Sequence, residues 1–164
     1  KKGRKMNLRY QQMAEEIREH HTREGVIDWQ AVADYVKVHL IRDPVVLVPC
    51  AGVRTRPSGT YFYVCTHTDH PGYDLDGFTA HEFGHIFSNH FIDEGLTHQE
   101  QDDEADVFVR LLLGRETIPN INSIEYRMLR LSREELDEFE RDHDGFIQGR
   151  IDKALDNYFW RMGK

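Results

Sequence analysis

The chain has 164 residues, with 21 Lys or Arg against 29 Asp or Glu, and therefore a formal net charge of −8. This length suits one domain with its own core, and the negative charge disfavours a broad phosphate-binding surface, so we expect no direct contact with nucleic acid. The uncharged run 44–53 is far shorter than the roughly 20 residues of a membrane span. No secretory signal follows the basic first residues, and we therefore expect a cytoplasmic protein without a membrane partner.

Two helices are predicted in the first quarter of the chain. Residues 8–18 carry apolar side chains at helical spacing, and Gly25 is expected to end that helix. Asp28 can cap a second helix, which Pro44 cannot continue. The buried stripe predicted for this second helix consists of Trp29, Val32, Ala33, Val36 and Leu40.

Two strands are predicted next, at residues 44–50 and 60–66, because both segments are rich in β-branched or aromatic side chains. A loop with Pro57, Ser58 and Gly59 separates them. The second strand is treated as an edge strand. Cys50 and Cys65 could face each other across a hairpin, and we expect both to be free thiols.

The rest of the chain is predicted to be mainly helical. Helical spacing runs through residues 78–91 and 102–113, and Gly114 is a natural stop for the second of these segments. A capping box at Ser132 and Glu135 opens a further helix. The last helix is expected at residues 146–160.

These elements predict an α+β fold in which a small sheet packs with a central helix and surrounding helices. We expect a single domain over residues 1–164. Within it, residues 1–122 form the core that carries the motif described next, and residues 123–164 form a C-terminal helical part.

The segment 78–91 contains an H-E-x-x-H motif made of His81, Glu82 and His85. Side chains at positions i and i+4 of a helix stand one turn apart, with about 5–6 Å between their Cβ atoms. Two imidazoles at that spacing can bind one Zn²⁺ at about 2.0–2.1 Å. Glu82 points beside the metal and is predicted to act as the general base of a zinc peptidase.

A catalytic zinc usually has three protein ligands, so one more donor is needed. His90 follows His85 by five residues, which on a regular helix turns it to another face, and we expect it to be solvated. Asp102 is the favoured third ligand, and Asp106, one turn further, would then orient a ligand histidine. Glu104 has the longer reach and remains the rival third ligand.

The chain resembles the ImmA/IrrE family, gluzincin-like HExxH zinc metallopeptidases. The residues that carry the resemblance are Phe78-Thr79, Ala80 to His85, Asp102, Ala105, Asp106, Phe108 and Leu112-Leu113. The family usually has Glu where this chain has Asp102, and Pro where it has Gly114. The Phe78-Thr79 pair also lies one residue closer to the first histidine than in the family pattern.

The resemblance implies a cytoplasmic peptidase that cleaves or disables a helix-turn-helix repressor, and so acts as an anti-repressor in stress or mobile-element regulation. The alternative is a non-enzymatic zinc-containing regulator that binds its repressor partner stoichiometrically. A substrate peptide could add to an exposed edge at residues 61–66. The candidates for the group that stabilises the oxyanion, among which the sequence does not choose, are Tyr61, Tyr63, His67, His70 and Tyr73.

Overall fold

The computed structural model describes residues 2–43, 49–66, 74–91, 95–118 and 131–163, with side chains from residue 8 onward. Six helices and two small sheets lie in these ranges, so the predicted α+β class is confirmed. In chain order the elements are α1 (Lys2–His20), β1 (Thr22–Arg23), β2 (Val26–Ile27), α2 (Trp29–Val36), β3 (His39–Arg42), β4 (Cys50–Arg56), β5 (Gly59–Thr66), α3 (Leu75–Phe87), α4 (His98–Leu113), α5 (Arg133–Arg141) and α6 (His143–Arg161).

The first two helices form as predicted, but both end earlier than expected. α1 stops at His20, and Gly25 lies instead in the turn of the short β1–β2 hairpin with a φ of 77°. Asp28 caps α2 by accepting a hydrogen bond from the Ala31 N–H. α2 ends at Val36 because Lys37 adopts the left-handed conformation, with a φ of 60°. The expected helical residue Leu40 therefore lies in strand β3.

The main sheet has the strand order β3-β5-β4, with β5 parallel to β3 and antiparallel to β4. The prediction that the strand at residues 60–66 is an edge is therefore wrong, because β5 is paired on both sides. β4 starts at Cys50 and continues to Arg56, beyond the predicted strand, whose residues 44–48 lie outside the described part of the chain. Cys50 and Cys65 are paired across the hairpin as free thiols, as predicted.

The main sheet has a hydrophobic core on each face, because successive side chains of a strand point to opposite sides. On one side, Val64 packs with side chains from the first four helices, including Trp29, Phe83 and Phe108. On the other side lies the last helix, α6. The second core consists of Ile41, Tyr63, Cys65, Ile151, Ala154, Leu155 and Phe159.

Two ion pairs also join α6 to the strand β4. The Arg54 guanidinium donates to Asp152 at 2.6 Å, and that of Arg56 donates to Asp156 at 3.4 Å. The two acids are one turn apart on α6, and the two arginines are two residues apart on β4, so both pairs lie on one face of the sheet. The last helix thus holds the edge strand β4 by side-chain contacts as well as by the core.

Helices α3, α4 and α6 begin three or four residues before their predicted positions. α4 starts at His98, where Thr97 and Glu100 form a capping box, and it ends at Gly114 with a φ of 68°. The capping box of Ser132 and Glu135 opens α5 as predicted.

None of the helices in the described ranges is both long and apolar enough to cross a membrane. The predicted boundary between residues 122 and 123 lies outside these ranges.

Candidate metal centre

The centre is built where helices α3 and α4 approach most closely. Gly84 of α3 lies against Ala105 of α4, and a Cβ atom at Gly84 would be only 3.0 Å from the Cα atom of Ala105. This glycine therefore permits a backbone separation that a side chain would prevent. The close approach brings the first turns of α4 beside the motif residues of α3.

Three potential metal ligands come together at this contact: His81 and His85 from α3 and Asp102 from α4. The two Nε2 atoms of the histidines are 3.1 Å apart. The Asp102 Oδ1 atom lies 3.3 Å from Nε2 of His81 and 3.2 Å from Nε2 of His85. The donor atoms therefore form a nearly equilateral triangle.

The size of this triangle can be compared with what a small cation requires. In a tetrahedral site with zinc–ligand bonds of about 2.0–2.1 Å, neighbouring ligand atoms are about 3.3 Å apart. The three separations of 3.1–3.3 Å agree with that value to within about 0.2 Å. Two imidazoles and one carboxylate also form a donor set typical of catalytic zinc. The residues present thus fit a metal ion of this kind.

The second ring nitrogen of each histidine contacts a further side chain. Nδ1 of His81 lies 2.8 Å from Oδ1 of Asp106, the residue that spacing on α4 placed on the same face as Asp102. Nδ1 of His85 lies 2.8 Å from Nδ1 of His90. The contacts at Nδ1 therefore fix the orientation of both rings, so that their Nε2 atoms point toward the common centre.

The expectation that His90 is a solvated histidine is wrong, since only 6% of the residue is exposed. The regular helix ends at Phe87, and Asn89 adopts a φ of 55°, which turns the chain back. The His90 N–H then donates to the His85 carbonyl at 3.2 Å, and its ring reaches the ring of His85. The prediction assumed a regular helix up to His90, which this turn interrupts.

Glu104, the rival third ligand, lies on a different contact. Its Oε2 atom is 2.6 Å from Nε2 of His90. The structure therefore places Asp102 in the group with His81 and His85, whereas Glu104 contacts His90, which in turn contacts His85.

Glu82 lies beside the group in a poorly solvated position, with 8% of the residue exposed. Burial raises the pKa of Glu82 to about 7; the charge of His81 opposes this rise and that of Asp102 adds to it. A hydrogen bond with Cys65 and burial raise the pKa of the Cys50 thiol, and the charge of Glu82 raises it further. The carboxylate is thus within electrostatic reach of both the ligand group and the start of β4.

His85 is suited to act as a neutral ligand. Burial, followed by electrostatic interaction with His81 and His90, lowers the pKa of His85 to about 4. The ring is therefore uncharged at neutral pH and keeps one nitrogen lone pair for a metal ion.

The start of α3 is fixed by Asp74, which accepts several hydrogen bonds. Its carboxylate accepts from the Gly77 N–H, from the Ile118 N–H, and from both terminal nitrogens of Arg115 at 2.8 and 2.9 Å. Although burial would raise the pKa of Asp74, the Arg115 guanidinium and the two N–H groups lower it below its usual value. This contact ties the segment after α4 to the first turn of the motif helix.

Two of the predicted oxyanion donors are engaged elsewhere. The Tyr61 hydroxyl donates to the Ser58 carbonyl at 3.1 Å, in the turn between β4 and β5. Tyr63 packs in the core with α6, where burial raises its pKa to about 12. The other three candidates, His67, His70 and Tyr73, lie outside the described residues.

In comparisons with models of known families, with curated proteins and with solved structures, the chain matches none of them. Its family assignment therefore stays a prediction from the motif residues. The contact of His90 with His85 was not predicted from the sequence. The only local signal was Asn89, a residue type that tolerates the left-handed conformation at which helices often end.

Proposed function

We propose that the protein is a zinc metallopeptidase. The observation that carries the proposal is the triangle of His81 Nε2, His85 Nε2 and Asp102 Oδ1, whose sides of 3.1–3.3 Å suit tetrahedral zinc, with Glu82 beside it. The three atoms make three close contacts with one another, but only the two imidazole nitrogens can carry a proton when the carboxylate is ionised. Without a cation, at least one of these contacts would therefore lack a hydrogen bond. The donor set and its spacing therefore favour a metal ion.

When bound, zinc activates water for attack on a peptide carbonyl and offsets the charge that develops on the carbonyl oxygen. The protein's own contribution is to position the ligands and to move a proton. Glu82, with a pKa of about 7, is suited to take a proton from the attacking water on its carboxylate. It can then pass that proton to the nitrogen of the departing amine.

We further propose that the substrate peptide lies along β4. β5 is paired on both sides, whereas no strand in the described part of the chain pairs with the second edge of β4. β4 also lies next to α3, and its first residue, Cys50, is within electrostatic reach of Glu82. An extended peptide added to this edge would carry its backbone carbonyls past the general base.

The substrate class rests on the resemblance to the ImmA/IrrE family. We propose a helix-turn-helix repressor as the substrate and a cytoplasmic location for the reaction. The alternative, stoichiometric binding of the repressor without cleavage, leaves no role for a buried acid beside the metal. Support for cleavage therefore comes from Glu82 and its surroundings.

The test combines metal analysis with one conservative variant. The protein purified with zinc should contain about one zinc per chain, as a three-ligand catalytic site requires. Co-expressed with a candidate helix-turn-helix repressor, the protein should cut that repressor, and Glu82→Gln should retain zinc and lose the cut.

Asp103→Asn is the matched control, because it also removes a carboxylate charge but lies on the exposed side of α4. This variant should cleave like the wild type. Absence of zinc from the wild-type protein, or full repressor inactivation by Glu82→Gln, would contradict the proposal.

A further inference from the structure

We propose that His90 and Glu104 are positioning residues for the metal centre, which select the tautomer and fix the ring orientation of His85. The inference rests on the proposed zinc site at His81, His85 and Asp102. It assigns a role to two side chains that the H-E-x-x-H motif does not include, one of them located after the end of the motif helix.

The contacts form an unbranched chain from Glu104 to the metal position. Oε2 of Glu104 is 2.6 Å from Nε2 of His90, and Nδ1 of His90 is 2.8 Å from Nδ1 of His85. The opposite nitrogen of His85, Nε2, is the one that belongs to the ligand triangle. Each ring therefore uses one nitrogen on each side.

When Glu104 is ionised and His90 is neutral, proton counting along this chain leaves one arrangement. An ionised carboxylate only accepts hydrogen bonds, so Nε2 of His90 must donate to Glu104. A neutral imidazole carries one N–H, so Nδ1 of His90 must accept from Nδ1 of His85. The lone pair of His85 then lies on Nε2, where a metal ion needs it. Glu104 thus determines the tautomer of His85 through His90.

Burial makes this contact specific. The His90 side chain is 2% exposed, so water does not offer it other partners, whereas that of Glu104 is 27% exposed. Tyr10 of α1 closes the same region, donating from its hydroxyl to the Gly84 carbonyl at 3.0 Å and contacting Ser88. Burial raises the pKa of Tyr10 to about 12, and the negative charge of Glu104 adds to this rise.

The two metal histidines are consequently supported in different ways. His81 has a carboxylate directly behind it, in Asp106, whereas His85 has an imidazole, with the carboxylate of Glu104 one step further away. Hydrogen-bond partners of this kind commonly change metal affinity by about 10- to 100-fold when they are removed. A loss of that size is the measurable consequence of the inference.

The experiment measures zinc affinity by competition with a chelator, together with ¹⁵N NMR spectra of the histidines in the zinc-loaded protein. Glu104→Leu should weaken zinc binding by about 10- to 100-fold. Glu104→Gln keeps an oxygen that can accept from His90, and should stay within about threefold of the wild type. His90→Phe keeps the ring volume without its nitrogens and should resemble Glu104→Leu.

Asp103→Leu is the matched control, since Asp103 is exposed and its carboxylate accepts a hydrogen bond from the surface residue Gln99 at 2.9 Å. It should bind zinc like the wild type. In the wild-type spectrum His85 should be protonated at Nδ1, and His90 should be protonated at Nε2 alone. These spectra do not depend on any variant folding.

Each outcome separates this inference from the proposed function. If the wild-type protein binds no zinc, the proposed function fails, and the inference fails with it. If the wild type binds zinc and the Glu104→Leu variant binds it equally well, the inference alone is overturned. The same conclusion follows if the variant differs from the wild type only in a lower stability of the zinc-free protein. A proton on Nδ1 of His90 would overturn it as well.

Discussion

Replacing Gly84 with alanine tests whether the close contact of α3 with α4 assembles the metal centre. The added Cβ atom would lie 3.0 Å from the Cα atom, 3.1 Å from the carbonyl oxygen and 3.2 Å from the Cβ atom of Ala105. Two of these atoms belong to the backbone and cannot rotate away. Since carbon atoms pack best about 3.5–4.0 Å apart, the helices must separate by about 0.5–1 Å.

That displacement moves Asp102 away from the two histidines. Metal sites tolerate about 0.2 Å of error in ligand distances, and functional groups about 0.5 Å, so the triangle would no longer fit zinc well. We expect Gly84→Ala to weaken zinc binding by about tenfold or more. In the zinc-free protein, overpacking costs about 1–3 kcal/mol, while alanine improves helix propensity by about 1 kcal/mol, which leaves a net destabilisation of about 0–2 kcal/mol.

Gly149→Ala is the matched control for this prediction. Gly149 also lies within a helix, α6, but a Cβ atom there meets nothing within 4 Å. The change should raise the free energy of unfolding by about 0.5–1 kcal/mol and leave zinc binding unchanged. Both variants can be compared by chelator competition and by urea unfolding without zinc. If Gly84→Ala behaved like Gly149→Ala in both assays, the reasoning about the helix contact would be refuted.

Three further outcomes are expected. Asp102→Ala should lower zinc affinity by more than about 100-fold, exceeding the loss of a partner that only orients a ligand, when measured by chelator competition. In urea unfolding of the zinc-free proteins, Glu82→Gln should match the wild type near pH 4 and be more stable by about 3 kcal/mol at pH 8. The reason is that the pKa of Glu82 is about 7 in the folded state, above its value in the unfolded chain. The stability of the wild type therefore falls as the pH rises from the unfolded pKa to the folded pKa. Asp74→Ala should cost about 2 kcal/mol of unfolding free energy, with Asp74→Asn milder because it keeps the cap on Gly77.

The local features of helix α3 and of the candidate ligands could be predicted from the sequence because they depend on near neighbours in the chain. The i and i+4 spacing places His81 and His85 on one side of α3, and the phase of α4 places Asp102 and Asp106 together. The capping box at Ser132 is local in the same sense. Such features require only a regular helix and a recognisable start signal.

The features that the sequence did not predict depend on long-range pairing or on an irregular turn. β5 became the central strand because β3, from the segment expected to continue α2, pairs with it in parallel. Nothing in the local pattern at residues 39–42 indicates a partner strand 24 residues further along the chain. His90 reaches His85 through the left-handed turn at Asn89, and spacing on a regular helix gives the wrong direction for it.

The ion pairs between β4 and α6 bear on how the protein can be trimmed or fused. Asp152 and Asp156 of the last helix hold Arg54 and Arg56 of the strand that borders α3. A shortened version without α6 would expose the buried Cys65. It would also release one side of the strand that contacts α3, the helix of Glu82. Fusions are therefore better placed after the C-terminal end of α6, where they leave the two ion pairs with β4 intact.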